Sequence, residues 1–500
     1  MSSEETHRRT SQPSLDAPRN DDAADAATSK PEPMSRRGFL LSSAAGLAAG
    51  AATAYAPAAR AQSQSPAAPR GERILLKGGC VLSLDPQVGD FERADVLIDG
   101  SRIAAVAPDL TAHAEVVDAS NMIVMPGFVD THRHMWQGAL RNILPNGLLS
   151  DYGRDITGTA RSVFRPEDAH VGDLISALGA IDAGVTTVLD WSHIGNSPEH
   201  SDAAIAGLRE AGIRAVYAFG SGAGGANNRF PDDIRRLRNE HFASDDQLLT
   251  LAMAAGGDPR DWAIAREVGA FISVHVVGSL SVTAEAMGND VTYIHCTNLP
   301  PEAWRMIADT GGHVSIAGPI EMQMNHGVPP FQQALDHGIR PSLSVDVETE
   351  MPGELFTQMR TAFGLQRMLA LEKQRRGEPA PALLRVRDVI EFATIQGARA
   401  NQLDHKIGTL TPGKEADIIL LRMNAINVLP VNNVYGAIVL GMDTSNVDSV
   451  FIAGKPRKLG GRLIDVDLDR ISKMAQQSRD DIVSRAGWPQ TLFGGYLPGH

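Results

Sequence analysis

The sequence has little of three things that would each point to a particular class of protein. Only two cysteines, Cys80 and Cys296, occur in 500 residues, so no disulfide framework holds the fold together. Positive charge is in deficit, with a formal net charge of −13 and no Lys/Arg stripe, which argues against a nucleic-acid partner. Beyond residue 70 no uninterrupted apolar run reaches the length of about 18 residues that a membrane span needs. We therefore expect no stable membrane span in the mature protein.

Residues 1–70 differ in composition from the rest of the chain. A polar stretch rich in Ser, Asp, Pro and Ala precedes "SRRGFLLSSAAGLAAG", in which Arg36 and Arg37 lead into a weakly apolar run. This arrangement is typical of a twin-arginine export signal, and the small residues Ala59 and Ala61 predict cleavage near 61/62. An Ala-rich membrane anchor is the weaker alternative, because Ser, Gly and Thr interrupt the run. We therefore expect the twin-arginine export machinery as a partner and a periplasmic or secreted mature protein.

The remaining chain combines short β-rich ends with a strand–helix middle. Segments 72–125 and 406–465 turn often at Gly, Asp and Pro, which predicts one small β-sandwich domain built from both ends. Between them, eight apolar strand-like runs alternate with amphipathic helical segments, which predicts an α/β fold with a parallel (β/α)8 TIM-like barrel over 126–405. A C-terminal helix and tail are expected over 466–500. The eight runs lie at 122–130, 183–189, 212–219, 248–254, 269–276, 291–296, 312–317 and 338–345.

Residues able to bind a metal fall at the ends of four of these strands. His132 and His134 end the first run, His275 the fifth, His295 the sixth and Asp346 the eighth. The carboxyl ends of barrel strands meet at one face, so these side chains should converge. Three neutral imidazoles and a carboxylate suit one divalent ion, most simply Zn²⁺ with an open position for water. Iron and manganese are the alternatives.

These motifs resemble the amidohydrolase superfamily. The resemblance rests on "MPGFVDTHRH" after a β-rich start, on the later strand-end residues, and on "ATIQGARANQLDHKIGTLTPGKEADIIL" over 393–420. It is strongest to the cytosine deaminase and triazine hydrolase-like branch. The resemblance implies that His132, His134, His275 and Asp346 bind the metal, that His295 polarises substrate or bound water, and that Gln137 contacts substrate. Relatives often form homo-oligomers, so we expect one here without a predicted number of subunits.

Two departures from the superfamily pattern refine this expectation. The fourth strand, in "LLTLAMAAGGDP", lacks the lysine that bridges two metals in binuclear members, so one metal is expected. Deaminating members carry His-x-x-Glu after the fifth strand, but here the segment is "HVVG" with Gly278 at that position. Asp346 is then the leading proton carrier, because related hydrolases use this aspartate so. Glu348 and Glu350 in "DVETE" are further candidates.

Several other residues are candidates for contacting a small-molecule substrate, each with an ordinary structural alternative. They lie in the loops after the first, second and seventh strands, where barrel enzymes build their pockets. Each could equally be loop or rim packing. Besides Gln137 they are Trp136, His193, Glu321 and His326.

The function these observations favour is a metal-dependent amidohydrolase that cleaves a non-peptide C–N bond of an amide, cyclic amide, urea, carbamate or heterocycle. In this scheme a metal-bound hydroxide attacks an sp² carbon. The alternatives are a deaminase or triazine-type dechlorinase with a substitute proton shuttle, a lyase or decarboxylase, and a non-catalytic metal-binding scaffold.

Overall fold

A computed structural model describes residues 72–489, so the predicted export signal and residues 490–500 lie outside the described part of the chain. Within that part no helix is long and apolar enough to cross a bilayer. Residues 72–489 contain seventeen strands in two sheets, one mixed and one parallel. The predicted fold class, a parallel eight-stranded barrel with a second β structure drawn from both chain ends, is confirmed.

The mixed sheet has nine strands and uses segments from both ends of the described chain. Its spatial order is β17-β16-β15-β14-β5-β1-β2-β3, with β4 paired to β1. The central pairing of β5 with β14 is antiparallel and runs from Met122 opposite Arg422 to Pro126 opposite Ile418. The strands are β1 Arg73–Val81, β2 Phe91–Asp99, β3 Arg102–Ala107, β4 Glu115–Asp118, β5 Met122–Pro126, β14 Ile418–Arg422, β15 Val447–Ile452, β16 Lys455–Leu459 and β17 Arg462–Leu463.

The second sheet is the barrel, in which each strand pairs in parallel with the next one along the chain. Small and branched apolar side chains fill its interior, and Ala398 and Leu403 belong to the same cluster. The strands are β6 Phe128–Arg133, β7 Val185–Gly195, β8 Arg214–Ser221, β9 Leu249–Ala255, β10 Phe271–Val277, β11 Val291–Thr297, β12 His313–Ile316 and β13 Ser342–Leu343.

Helices cover the outside of the barrel and extend beyond it. Several begin with proline at the first helical position, whose fixed φ suits a helix start. The α-helices are Leu149–Tyr152, Arg161–Val163, Pro166–Asp182, Pro198–Ala211, Ile234–Glu240, Pro259–Glu267, Pro301–Asp309, Gly318–Gln323, Phe331–Asp336, Leu355–Arg375, Val386–Phe392, Ile395–Ala400, Val434–Gly436 and Leu468–Arg485, with 3-10 turns at Met135–Leu140 and Thr444–Asn446 and π-helical turns at Gly153–Ala160 and Ala437–Gly441.

The expectation of one strand over 122–130 is wrong, because that run belongs to both sheets. Residues Met122–Pro126 pair in the mixed sheet, and the barrel begins only at Phe128. Gly127 makes the crossing, and a Cβ there would lie 2.2 Å from the Thr186 side chain. The eighth strand is also shorter than expected, since only Ser342–Leu343 of 338–345 forms a strand.

A buried ion pair joins the barrel to the mixed sheet. Arg214 at the start of β8 donates from Nε to Asp417 Oδ2 at 2.8 Å and from Nη2 to Glu415 Oε2 at 2.5 Å. The Arg214 and Asp417 side chains are only 1% and 2% exposed. Loss of one partner would leave an uncompensated buried charge, which is far more destabilising than loss of a surface pair.

We therefore expect Arg214→Met to lower the free energy of unfolding by about 3–5 kcal/mol, the usual cost of breaking a buried ion pair. The matched control is Arg235→Met, which breaks a pair with Glu267 in which both side chains are about half exposed. That change should cost less than about 1 kcal/mol. Denaturant titration of both variants checks this, and equal stability losses would contradict a special role for Arg214.

Candidate metal centre

Five predicted residues meet at the carboxyl face of the barrel. His132 Nε2 lies 3.1 Å from Asp346 Oδ1 and 3.2 Å from His275 Nε2. His134 Nε2 lies 3.3 Å from the same Asp346 oxygen. His295 Nε2 is 3.7 Å from Asp346 Oδ2. The alternation of β6 explains the pair of histidines, because residues two apart point to the same face.

Arg133, which lies between the two histidines in the sequence, makes its contacts on the opposite face of the strand. It donates from Nε to Asp130 Oδ2 at 2.8 Å and lies 3.6 Å from Glu348. The Glu348 carboxylate is also 2.9 Å from Arg141 and accepts from Ser176 at 2.5 Å. Glu348 therefore fixes the loops around the site rather than facing the histidines, and these cations hold its pKa below its usual range against the effect of burial.

Backbone conformation at the site carries strain that packing does not require. His295 has a φ of +68°, Cys296 of +55° and Asp346 of +70°. Non-glycine residues rarely occupy this left-handed region, and such outliers cluster at functional sites. Two of the five converging residues, His295 and Asp346, thus have backbone conformations that a strand end without a functional role would not need.

The second strand of the barrel orients the loop that carries His134. The His134 Nδ1–H donates to the Trp191 carbonyl at 2.8 Å, which leaves Nε2 free to face the site. Its neighbour Asp190 accepts from the Met135 backbone N–H at 3.2 Å. The Trp191 ring packs edge-on against His275, with centroids 4.2 Å apart. One segment of β7 therefore fixes two of the converging imidazoles.

Burial keeps three of the histidines neutral. Desolvation lowers the pKa of His132 and His275 and lowers that of His134 to about 3. Burial alone would raise the pKa of Asp346, but the hydrogen bond with His132 and the charge of His295 hold it well below its usual range. Neutral imidazoles and an ionised carboxylate are the protonation states that metal ligation requires.

His295 differs from the other histidines because it has a buried carboxylate partner. Its Nδ1 lies 3.1 Å from Glu321 Oε1, and Glu321 is itself held by the Ala317 backbone N–H at 2.9 Å. Burial alone would lower the pKa of His295, but the hydrogen bond to Glu321 and the charge of Asp346 raise it. His295 is therefore suited to stabilise negative charge rather than to ligate a cation.

The spacing of the donor atoms fits a small divalent cation. Ligand atoms of a tetrahedral Zn²⁺ at 2.0–2.1 Å lie about 3.3–3.4 Å from each other, and the contacts around His132 and Asp346 are 3.1–3.3 Å. His132 belongs to two groups of three possible ligands, one with His275 and His295 and the other with His134 and Asp346. Within each group the ligand atoms lie within 4.8 Å of one another. The His132 and His275 Nε2 atoms, 3.2 Å apart, are placed either to share an N–H···N hydrogen bond or to bind one cation together.

Four of the residues predicted to contact substrate lie beside or behind the converging histidines. His193 packs on His134, with centroids 4.2 Å apart, and Trp136 lies behind it and donates to its Nδ1 at 3.2 Å. His326 packs edge-on against His295 at 4.7 Å, and neither of its ring nitrogens has a partner. Glu321 reaches the site only through His295. That these residues touch substrate stays a prediction.

Gln137 and a residue that the sequence did not suggest lie on the other side of the site. Gln137 Nε2 donates to the Tyr152 hydroxyl at 2.5 Å, while its Oε1 is buried without a partner. The Tyr152 ring centroid lies 6.5 Å from that of His134. No strand end or motif marks Tyr152, since it belongs to the short helix Leu149–Tyr152. Only the folded loop brings it to the site.

Comparison with known proteins places these features in a family. Residues 123–457 match the model described as Amidohydrolase family. A 5'-deoxyadenosine deaminase of Methanosarcina mazei is 25% identical over 82% of this chain and 99% of its own length. A 5-methylthioadenosine/S-adenosylhomocysteine deaminase of Symbiobacterium thermophilum is 24% identical over 77% of this chain and 93% of its own.

Solved structures give the same fold. A zinc-bound adenosine deaminase from Xanthomonas campestris superposes with a TM-score of 0.71 at 21% identity, over 82% of this chain and 98% of its own. A zinc complex of atrazine chlorohydrolase from Arthrobacter aurescens gives 0.70 at 21% identity, over 81% and 100%. The predictions of superfamily, barrel and hydrolase class are confirmed by these matches.

We expect His134→Ala to reduce bound metal from about one equivalent to well below half, because one imidazole of a four-donor set is lost. The control is His405→Ala, which removes an exposed imidazole outside the converging set. Elemental analysis of both purified variants beside the wild type makes the measurement. A full equivalent of metal in His134→Ala would contradict the assignment.

Proposed function

The chain belongs to the amidohydrolase family, and we propose that it uses one divalent metal ion to hydrolyse a non-peptide C–N bond in a small molecule. The observation that carries this proposal is the convergence of donor atoms at 3.1–3.3 Å around His132 and Asp346. The proposed metal ligands are His132, His134, His275 and Asp346.

The donor set favours zinc, since three imidazoles and one carboxylate are borderline ligands in the number that a catalytic zinc site provides. Iron and manganese are the alternatives. A bound divalent ion lowers the pKa of a water ligand and polarises the bond to be cleaved. Strand β9 reads LTLAMAA and offers no lysine to bridge a second ion, which supports a single metal.

Asp346 is proposed to ligate with one oxygen and to accept a proton with the other. Its Oδ1 faces His132 and His134, while Oδ2 faces His295 at 3.7 Å. The proton of an attacking water would pass to Oδ2, and His295, held by Glu321, would stabilise the oxygen that gains negative charge. Each of these roles uses an atom that the other contacts of the residue leave available.

The substrate is proposed to be a nitrogen heterocycle or a related amide. Supporting this, the relatives that cover most of the chain are named as deaminases of adenosine derivatives. Deamination of such a ring is therefore the second candidate beside ring or amide opening. Release of ammonia distinguishes deamination from ring opening, and release of chloride would indicate a dechlorinase instead.

The function is tested with zinc-loaded enzyme on a panel of amides, cyclic amides, ureas, aminopurines and chlorotriazines, followed by mass spectrometry. Asp346→Asn should lower kcat by about 10³-fold or more if Asp346 carries a proton as proposed. Metal content is measured in the same samples. A metal-replete Asp346→Asn enzyme with full activity would remove Asp346 as the proton carrier, and inactivity of zinc-loaded wild type on every class would contradict the hydrolase.

We also propose that the mature protein is exported through the twin-arginine pathway to the periplasm or beyond. The support is the Arg36–Arg37 pair before a weakly apolar run and the small residues around Ala61. Replacing both arginines by lysine should retain the full-length precursor in the cytoplasm of a bacterial host. Cell fractionation with immunoblotting makes the measurement, and an unchanged mature product in the periplasm would contradict this route.

A further inference from the structure

The end of strand β10 offers no acid to protonate a leaving group. Gly278 has a φ of +76°, and a Cβ built there meets no atom within 4 Å. The superfamily resemblance places a glutamate at this position in deaminating members. Hydrolysis of a C–N bond nevertheless needs a proton on the departing nitrogen, because an amide or amine anion is a poor leaving group. Either Asp346, once it has accepted the proton of the attacking water, or a separate acid of this chain supplies it.

Glu350 is a buried carboxyl without a counter-ion among residues 72–489, on the loop after β13, which lies three strands from β10 in the barrel order. It follows β13 and is 8% exposed. Its Oε2 accepts from Gln323 Nε2 at 3.2 Å, and the same Gln323 nitrogen lies 3.3 Å from the Pro145 carbonyl. The other oxygen, Oε1, is buried and has no hydrogen-bond partner within residues 72–489. Burying a carboxyl in this way is costly unless the group serves a purpose there.

The neighbouring acid shows that burial in this segment does not by itself leave a carboxyl unpaired. Glu348, two residues earlier, contacts Arg141 and Arg133. No such cation acts on Glu350 in the described contacts. Burial, opposed by the hydrogen bond from Gln323 and assisted by the charges of Asp346 and Asp151, raises the pKa of Glu350 to about 8. The carboxyl is therefore protonated at neutral pH.

The segment that carries Glu350 packs against the loop of Tyr152, because Val347 and Met351 belong to the same apolar cluster as Tyr152. Burial raises the pKa of Tyr152, and Glu350 raises it as well once it is ionised; the Tyr152 hydroxyl accepts from Gln137. Asp346, four residues earlier, acts on both Glu350 and Tyr152. Glu350 and Gln137 thus each have one side-chain oxygen without a hydrogen-bond partner in the described part of the chain. Glu350 lies in the loop that follows β13, and Gln137 lies in the segment that follows β6.

We propose that Glu350 is the general acid of this site and that its Oε1 proton passes to the leaving nitrogen as the C–N bond breaks. This inference rests on the proposed function. Water supplies the oxygen of the new C–O bond and one proton to Asp346, and that proton returns to the Glu350 carboxylate through solvent. One water is consumed and one neutral amine or ammonia is released, so the step needs no other reactant.

The assignment narrows the substrate class. A protonated carboxyl assists departure of a basic nitrogen, but a chloride ion leaves without a proton. The site is therefore specific for substrates with an amine or amide nitrogen as leaving group. A chloro-substituted ring would gain nothing from Glu350.

The first test compares Glu350→Gln with wild type on two substrates that differ only in the leaving group, adenosine and 6-chloropurine riboside, with acetanilide and 4-nitroacetanilide as an amide pair. We expect kcat for the basic leaving group to fall by about 10²–10⁴-fold, the usual contribution of general acid catalysis. Activity on the chloride or nitroaniline substrate should change less than tenfold, with unchanged metal content. The control is Glu285→Gln, an exposed loop glutamate after β10, which should leave both substrates unaffected.

The wild-type kcat for the basic leaving group should fall as pH rises through about 8, because the acid form is the active one, and Glu350→Gln should lose this limb. Equal effects on both leaving groups, or an unchanged pH profile, would overturn the assignment. Glu350→Asp, which keeps the carboxyl, should recover part of the activity.

A second measurement does not depend on finding the substrate. The infrared difference spectrum of zinc-loaded wild type minus Glu350→Gln should contain a carboxylic-acid C=O band at pH 7 that disappears as pH rises through about 8. A carboxylate band at pH 7 would overturn the proposal for Glu350 even if the enzyme hydrolyses the panel. Inactivity of wild type on the panel with the acid band present would instead count against the proposed function.

Discussion

The architecture depends on the contact between the first and last strands of the barrel. The Asp346 backbone N–H donates to the His132 carbonyl, and its own carbonyl accepts from the His134 N–H, both at 2.9 Å. The same residue that closes the parallel sheet therefore supplies the carboxylate to which both histidines point. Closure of the barrel and convergence of the candidate ligands therefore depend on the same contact. A barrel that failed to close here would also have no site.

This coupling explains why backbone strain concentrates at the mouth. Asp346 and His295 keep a positive φ, which costs of order 1–3 kcal/mol for each residue. The surrounding structure tolerates that cost because neighbouring strands are fixed by their ladders and by the packed barrel interior. Strain and orphaned polar atoms then occur together in one region, which is the pattern expected where a protein sacrifices stability for chemistry.

The parts of the site that could be predicted from sequence follow from strand periodicity. His132, His134, His275, His295 and Asp346 all lie at or just beyond apolar runs, and parallel strands bring their ends together whatever the loops do. The contacts that orient these residues could not be predicted. Glu321 is 26 residues from His295, and the Trp191 group that holds His134 is a backbone carbonyl, for which no side-chain motif exists.

Fold prediction failed where one apolar run serves two sheets. Periodicity continues through Met122–Arg133, so no pattern marks the change of partner at Gly127. The change is set by distant residues, since Met125 pairs with Ile419 and Phe128 with Val185. A similar limit applies to β13, where the strand expected over 338–345 yields only two residues of ladder.

The missing glutamate after β10 is a property of the backbone as well as of the side chain. Gly278 adopts a left-handed conformation that a residue with a Cβ enters only at a cost of about 1–2 kcal/mol. Its N–H is bound to the Thr297 carbonyl of β11 at 2.8 Å, which fixes that conformation. A glutamate placed there would leave the strand in a different direction from one on a regular strand end. The candidate acid Glu350 lies instead on the loop after β13, four residues beyond Asp346, and Gln323 holds it from the neighbouring loop. The two arrangements are alternative ways to deliver one proton, and the left-handed conformation of Gly278 disfavours the first.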